Sequence, residues 1–292
     1  MPPKVGGPVP VTQPRNAEAA IPAKAIDVST LTPAELKALP PAYQAAVKQA
    51  KAYAEKSFAG MAPAPQVLVV ASASNGNAPV TVIVPPGAKE PLSVQTHYHG
   101  DRATSVGGEN AAADELGKRV KAGDTTVYVL PEAKAAGGRT DWTNAGDIDK
   151  TTTEALAAAG LGDKAVGHTT ISVHSAGGRA LANAIKDGKQ LKADELVLQD
   201  ALFEGANGPG AYSALKQTLP GATAGVKQVT IVPSQETDTA AARSAAQADA
   251  LKKAQRPVTV LPPTKTHAQT AGILDTSGPL PAGKIVDHFV PA

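Results

Sequence analysis

The chain has 292 residues, 42% of them hydrophobic, enough for one sizeable core or at most two small ones. Its 28 Lys and Arg against 26 Asp and Glu leave a net charge of +2, and only 3% of residues are aromatic. With neither a cationic track for phosphates nor a stacking platform for bases, nucleic acid is excluded as the expected partner, and the absence of cysteine excludes disulfides, thiolate metal sites and a thiol nucleophile.

Residues 1–30, which begin MPPKVGGPVPVTQPRN, are rich in Pro, Ala and Val without helical or strand period, and are expected to form a mobile arm. They lack the apolar centre of a secretory signal. No stretch of the chain approaches the roughly 20 apolar residues that span a bilayer, so a cytoplasmic location is expected. Residues 31–60 read as an N-terminal helical segment. Thr32-Pro33-Ala34-Glu35 has capping-box spacing with proline at the first helical position, and Pro40 and Pro41 interrupt that first helix. Tyr43, Ala46, Val47, Ala50, Ala54 and Phe58 then recur at helical spacing with Lys48, Lys51 and Glu55 between them, which predicts an amphipathic helix packed on the main domain.

The main domain is expected over 61–292. Short β-branched runs ended by Pro, Gly or polar clusters predict eight strands: 67–72, 80–85, 92–97, 125–131, 169–174, 195–200, 228–233 and 257–262. The first three follow one another without a helix. After them, Ala-rich helical segments intervene near 109–121, 150–160, 176–187, 211–218 and 238–254. That alternation predicts a mostly parallel eight-stranded sheet with helices on both faces, opened by an antiparallel hairpin.

In TTISVHSAGGRALANAI a strand runs directly into Ser175 and then a helix whose apolar face is Ala180, Leu181, Ala184 and Ile185. A serine on such a turn is exposed as a nucleophile, and the turn needs small neighbours. Gly177 supplies one, whereas Val173 stands where the G-x-S-x-G pattern has glycine. The other reading of Ser175 is a cap for the helix that begins near 176.

The third strand ends in His97-Tyr98-His99-Gly100-Asp101. With the serine turn downstream, this His-Gly pair resembles the oxyanion loop of the α/β-hydrolase family, and the resemblance covers roughly residues 67–275, including TTVYVLPEA and Trp142. It implies an α/β-hydrolase fold and an oxyanion site built by the loop His99, Gly100 and Asp101 together with Ala176, with the N–H groups of Asp101 and Ala176 as donors. It also places the catalytic histidine just after the last strand, where His267 stands in PPTKTHAQTAG. For the acid, Asp200 ends the sixth strand among apolar neighbours and needs a partner there, while Asp238 or Glu236 occupies the commoner position after the seventh strand. The expectation is a serine hydrolase that cleaves a small-molecule ester or related acyl substrate through an acyl-enzyme on Ser175, with His267 and Asp200 and without a cofactor.

Two other readings remain open at this point. His97-x-His99-x-Asp101 resembles the zinc-ligand motif of metallo-β-lactamase-fold hydrolases, with His174, Asp200 and His267 downstream as further donors, although Arg102 stands where that fold commonly has histidine. A catalytically inactive binding protein on the same scaffold is the third.

Overall fold

The computed structural model describes residues 21–270 apart from 23, 102, 108–110, 137–138, 203–210 and 236–237. A two-residue strand, β1 (Ile26–Asp27), precedes two helices, α1 (Pro33–Ala38) and α2 (Pro41–Ser57). A hairpin of β2 (Gln66–Ala71) and β3 (Pro79–Val84) follows, and then β4 (Leu92–Tyr98). From there helix and strand alternate: α3 (Ala111–Lys121), β5 (Val127–Pro131), a small ribbon of β6 (Lys134–Ala136) and β7 (Arg139–Asp141), and α4 (Ile148–Ala158). The chain continues through β8 (Val166–His174), α5 (Gly177–Ile185), β9 (Glu195–Gln199), α6 (Ala211–Ala222), β10 (Gln228–Val232), α7 (Asp238–Lys253), β11 (Val258–Val260) and α8 (His267–Thr270).

The central sheet has nine strands in the order β1-β2-β3-β5-β4-β8-β9-β10-β11, with the β6-β7 ribbon apart from it. Only the pairings at the β1 end, through β2, β3 and β5, are antiparallel; from β5 onward every neighbour is parallel. Parallel strands covered on both faces carry apolar runs, as in the fully buried β5 and in Leu196–Leu198 at the centre of β9. The expected eight strands are all present, and β1 is the ninth. Ile26 pairs with Val69 and Asp27 with Leu68, and Ile26 and Val28 are buried, so the last part of the segment expected to be a mobile arm belongs to the sheet edge. A two-residue strand is too short to carry a period of two, which is why the pattern missed it. Residues 1–20 and 271–292 lie outside the described residues.

Helices cover both faces. One core joins α5, α6 and α7 to the sheet through Ile171, Val173, Leu181, Leu198, Leu215 and Leu251, and another joins α2 and α3 to it through Val47, Ala50, Leu116, Ile83 and Tyr128. Thr32 caps α1 reciprocally with Glu35 as the spacing predicts, and Pro41 opens α2. Tyr43, Ala46, Val47 and Ala50 of the expected stripe are buried on α2, Phe58 is buried just past its end, Ala54 is half-buried, and Tyr53 is added; the Tyr53 hydroxyl donates to the Ala113 carbonyl at 2.7 Å. Ala50→Asp would bury an unpaired carboxylate in that seam. It is expected to destabilise the chain by about 3 kcal/mol or more, read as a lowered urea midpoint, and an unchanged midpoint would show that α2 contributes little to the core. Among the described residues no helix is long and apolar enough to cross a membrane.

The order β5-β4-β8 positions the site. The chain leaves β4 to one side for β5, then crosses back to the other side for β8. Such a reversal opens a crevice beyond the carboxyl ends of the two central strands. The loop after β4 and Ser175 after β8 both emerge there.

Candidate active site

β8 stays in register with β9 to its last residue, His174 opposite Gln199. The Ser175 N–H still donates to the Gln199 carbonyl at 3.0 Å, and at Ser175 the backbone turns to φ 49°, the left-handed region. For a residue with a side chain this conformation costs of order 1–3 kcal/mol and persists where the surroundings over-determine it. They do so here. A Cβ on Gly177 would collide with the Tyr98 carbonyl of β4, and one on Gly100 would come within 2.7 Å of His174 Nδ1 and 2.9 Å of Ser175 Cβ. Only glycine fits at either place. Val173, by contrast, lies within the strand and packs its side chain into the core with Ile171 and Leu198, so nothing crowds the position where the sequence pattern asks for glycine.

Asp200 stands one residue beyond β9, tied to β10 by its N–H to the Val232 carbonyl at 2.7 Å, and it too has a left-handed backbone, φ 46°. His267 is the first residue of α8. Its Nδ1 lies 2.6 Å from Asp200 Oδ2 and its Nε2 lies 2.9 Å from Ser175 Oγ. Burial pushes the Asp200 carboxyl up, but hydrogen bonds from His267 and from the side chain and backbone of Ser234 outweigh it and hold it below its ordinary value. An ionised Asp200 accepts only, so Nδ1 carries the proton and Nε2 is left to accept from the serine hydroxyl. Serine, acid and histidine follow one another along the chain at the ends of parallel strands, the order and placement of one architecture. The chain has the α/β-hydrolase fold.

In this α/β-hydrolase fold the loop after β4 lies against Ser175. His99 is buried and turned inward: Nδ1 bonds the Gly100 carbonyl at 2.9 Å, Nε2 receives the Ala133 N–H at 3.5 Å, and the ring lies 4.8 Å from that of Trp142. Trp142 Nε1–H donates to the His99 carbonyl at 3.2 Å, and Thr140 N–H to Asp101 Oδ1 at 3.2 Å. His99 therefore shapes the loop from behind rather than presenting its ring at the surface. Among the described residues neither the Asp101 N–H nor the Ala176 N–H has an acceptor.

The spacing that suggested zinc ligands does not converge. β4 ends at Tyr98, so His97 keeps its place on the strand, with Nδ1 2.9 Å from Ser172 Oγ, while His99 and Asp101 turn away with the loop to the partners just named. Alternation along a longer strand would have put all three on one face. Among the described residues no group of three or more His, Cys, Asp or Glu is arranged to hold a metal ion. Asp238 begins α7, and Glu236 and Arg102 lie outside the described residues.

Two histidines are buried at the end of the central strands. Burial drives His97 well below the ordinary imidazole value. Burial, with the neighbouring His267 adding to it, brings His174 down to about 4 from 6.5. Both are neutral near pH 7. A depressed imidazole favours the folded state fully above its unfolded value and loses that contribution as pH falls through the folded one, so stability should drop between about pH 6.5 and 4. His174 alone accounts for roughly 3 kcal/mol of that. Urea midpoints across this range should fall more steeply for the wild type than for His174→Gln; parallel slopes would contradict a neutral buried His174.

Sequence reasoning missed Ser234 and the hold of His174 on the backbone of His267, since neither belongs to a spacing pattern. No family model and no curated protein matches the sequence. Among solved structures the chain is similar to carboxyl esterase 2 from the mycorrhizal fungus Tuber melanosporum, with 16% identity, 72% of this chain and 80% of that one covered, and a TM-score of 0.44. It is similar to a hormone-sensitive lipase from a metagenome library, with 16% identity, 78% and 86% covered, and a TM-score of 0.44. It is also similar to an S-formylglutathione hydrolase from Agrobacterium tumefaciens, with 15% identity, 72% and 91% covered, and a TM-score of 0.45.

Proposed function

We propose that this protein is a serine hydrolase that cleaves a small ester or related acyl substrate through an acyl-enzyme formed on Ser175. The observation that carries the reading is the unbroken chain from Ser175 Oγ to His267 Nε2 at 2.9 Å and from His267 Nδ1 to Asp200 Oδ2 at 2.6 Å, built on a strand-to-helix elbow. Ser175 Oγ attacks the substrate carbonyl carbon while His267 Nε2 takes its proton, and the Asp200 carboxylate stabilises the imidazolium that forms. The carbonyl oxygen, now an anion, is received by the N–H groups of Ala176 and Asp101. His267 returns the proton to the leaving alcohol, leaving an acyl group on Ser175. Water then attacks that ester with His267 again as base, and release of the acid restores the serine.

A fluorophosphonate probe tests this on the purified full chain. One adduct per chain is expected on the peptide that contains Ser175, with p-nitrophenyl acetate turnover unaltered in strong chelator. Failure to label, or loss of turnover on chelation, would overturn the reading.

A further inference from the structure

His267 opens a helix of four residues, and its side chain is 40% exposed. One helical turn has little stability of its own, because nucleation fixes several dihedrals for a single hydrogen bond. Something outside α8 has to hold this backbone if the imidazole is to stay within 2.9 Å of Ser175 Oγ. The His267 carbonyl supplies the attachment. It accepts the Thr270 hydroxyl at 2.7 Å from within the turn, and it lies 2.9 Å from His174 Nε2 on β8. His174 is buried, paired in register with Gln199, and adjacent in sequence to Ser175. Its ring lies 4.8 Å from that of His267, and its Nδ1 is backed by the Gly100 backbone.

We propose that His174 is a positioning residue that grips the backbone of His267 and so sets the distance between the base and Ser175, an inference that rests on the roles given to those two residues above. A carbonyl faces Nε2, so Nε2 carries the proton and Nδ1 is bare. The burial that keeps His174 neutral leaves it this single N–H. The residue that precedes the nucleophile thus ties the base to the same strand, and any displacement of β8 moves serine and histidine together. Displacements of about 1 Å at such a site cost on the order of 100-fold in rate.

The test compares wild type, His174→Leu, which keeps bulk but loses the donor, and His174→Gln, which restores an N–H. Saturation kinetics of fluorophosphonate inactivation separate the maximal rate, kinact, from probe affinity, KI. His174→Leu is expected to lower kinact by about 10- to 100-fold with KI essentially unchanged, and His174→Gln to recover most of the loss. A folded His174→Leu that reacts at the wild-type rate, or a folded His174→Gln that recovers nothing, overturns the proposal and leaves the role of Ser175 standing. A wild type that does not react overturns both. Should the leucine variant not fold, side-chain 15N shifts of the wild type decide: His174 should carry its proton on Nε2, and a proton on Nδ1 overturns the proposal.

Discussion

Ser175→Ala is expected to abolish fluorophosphonate labelling and to lower ester turnover on the order of 10⁶-fold, as loss of the nucleophile does in serine hydrolases, while circular dichroism and melting temperature stay near those of the wild type. The fold should survive because Ser175 contributes one hydroxyl to a turn held by backbone: its own N–H on Gln199, Gly178 N–H on the Ser175 carbonyl, and the close pass of Gly177 beneath Tyr98. None of these needs the Oγ. His267→Ala should cause a loss of similar size, because without Nε2 the hydroxyl keeps its proton. The double variant should be little worse than either single one, since residues that act as a unit are grossly non-additive. Multiplicative losses would mean that serine and histidine serve separate ends, and the proposed chemistry would fall.

Asp200→Asn should cost roughly four orders of magnitude in turnover with little change in stability. An amide at this place offers an N–H to His267 Nδ1, and the imidazole then places its proton on Nε2, the atom that has to receive one from Ser175. Geometry is kept and the tautomer is inverted. Asp238→Asn, at the start of α7, should leave turnover within about twofold, because Asp200 already occupies Nδ1. Equal losses at the two positions, or a loss at Asp238 alone, would contradict the assignment. The low pKa of Asp200 adds a sign: the carboxylate stays ionised through mildly acidic pH, and its stabilising contribution disappears only as pH falls through a value below the ordinary carboxylate range. Ser234→Ala should move that loss to higher pH.

Much of this arrangement is legible in the sequence because parallel strands covered on both faces must be long apolar runs, and residues such as Val129, Val173 and Leu198 announce them. Ser175 and Asp200 each stand just beyond such a run, His267 is placed by the family resemblance, and the structure brings the three together. What escaped has physical reasons. β1, β6 and β7 are two or three residues long, too short for an alternation to repeat. The zinc-like spacing at His97, His99 and Asp101 does not converge, because β4 ends at Tyr98 and the loop carries His99 and Asp101 to other partners. The valine at 173 counted against the elbow, yet the steric demand falls on Gly177 and Gly100, each set by a neighbour that is remote in sequence. Ser234 and His174 act through hydrogen bonds between segments remote in sequence, which no local pattern encodes.

The left-handed backbones at Ser175 and Asp200 have a consequence for how such a chain drifts. Ser175 sits where glycine would fold at lower cost, whereas an aspartate tolerates that region and Asp200 is held there by hydrogen bonds to its carboxylate. Ser175→Gly is thus a change that selection for stability alone would favour, and a lineage released from the need to turn over substrate would lose its chemistry while its protein became hardier. On the proposed function, a serine held at this φ value would be in that sense a record of use.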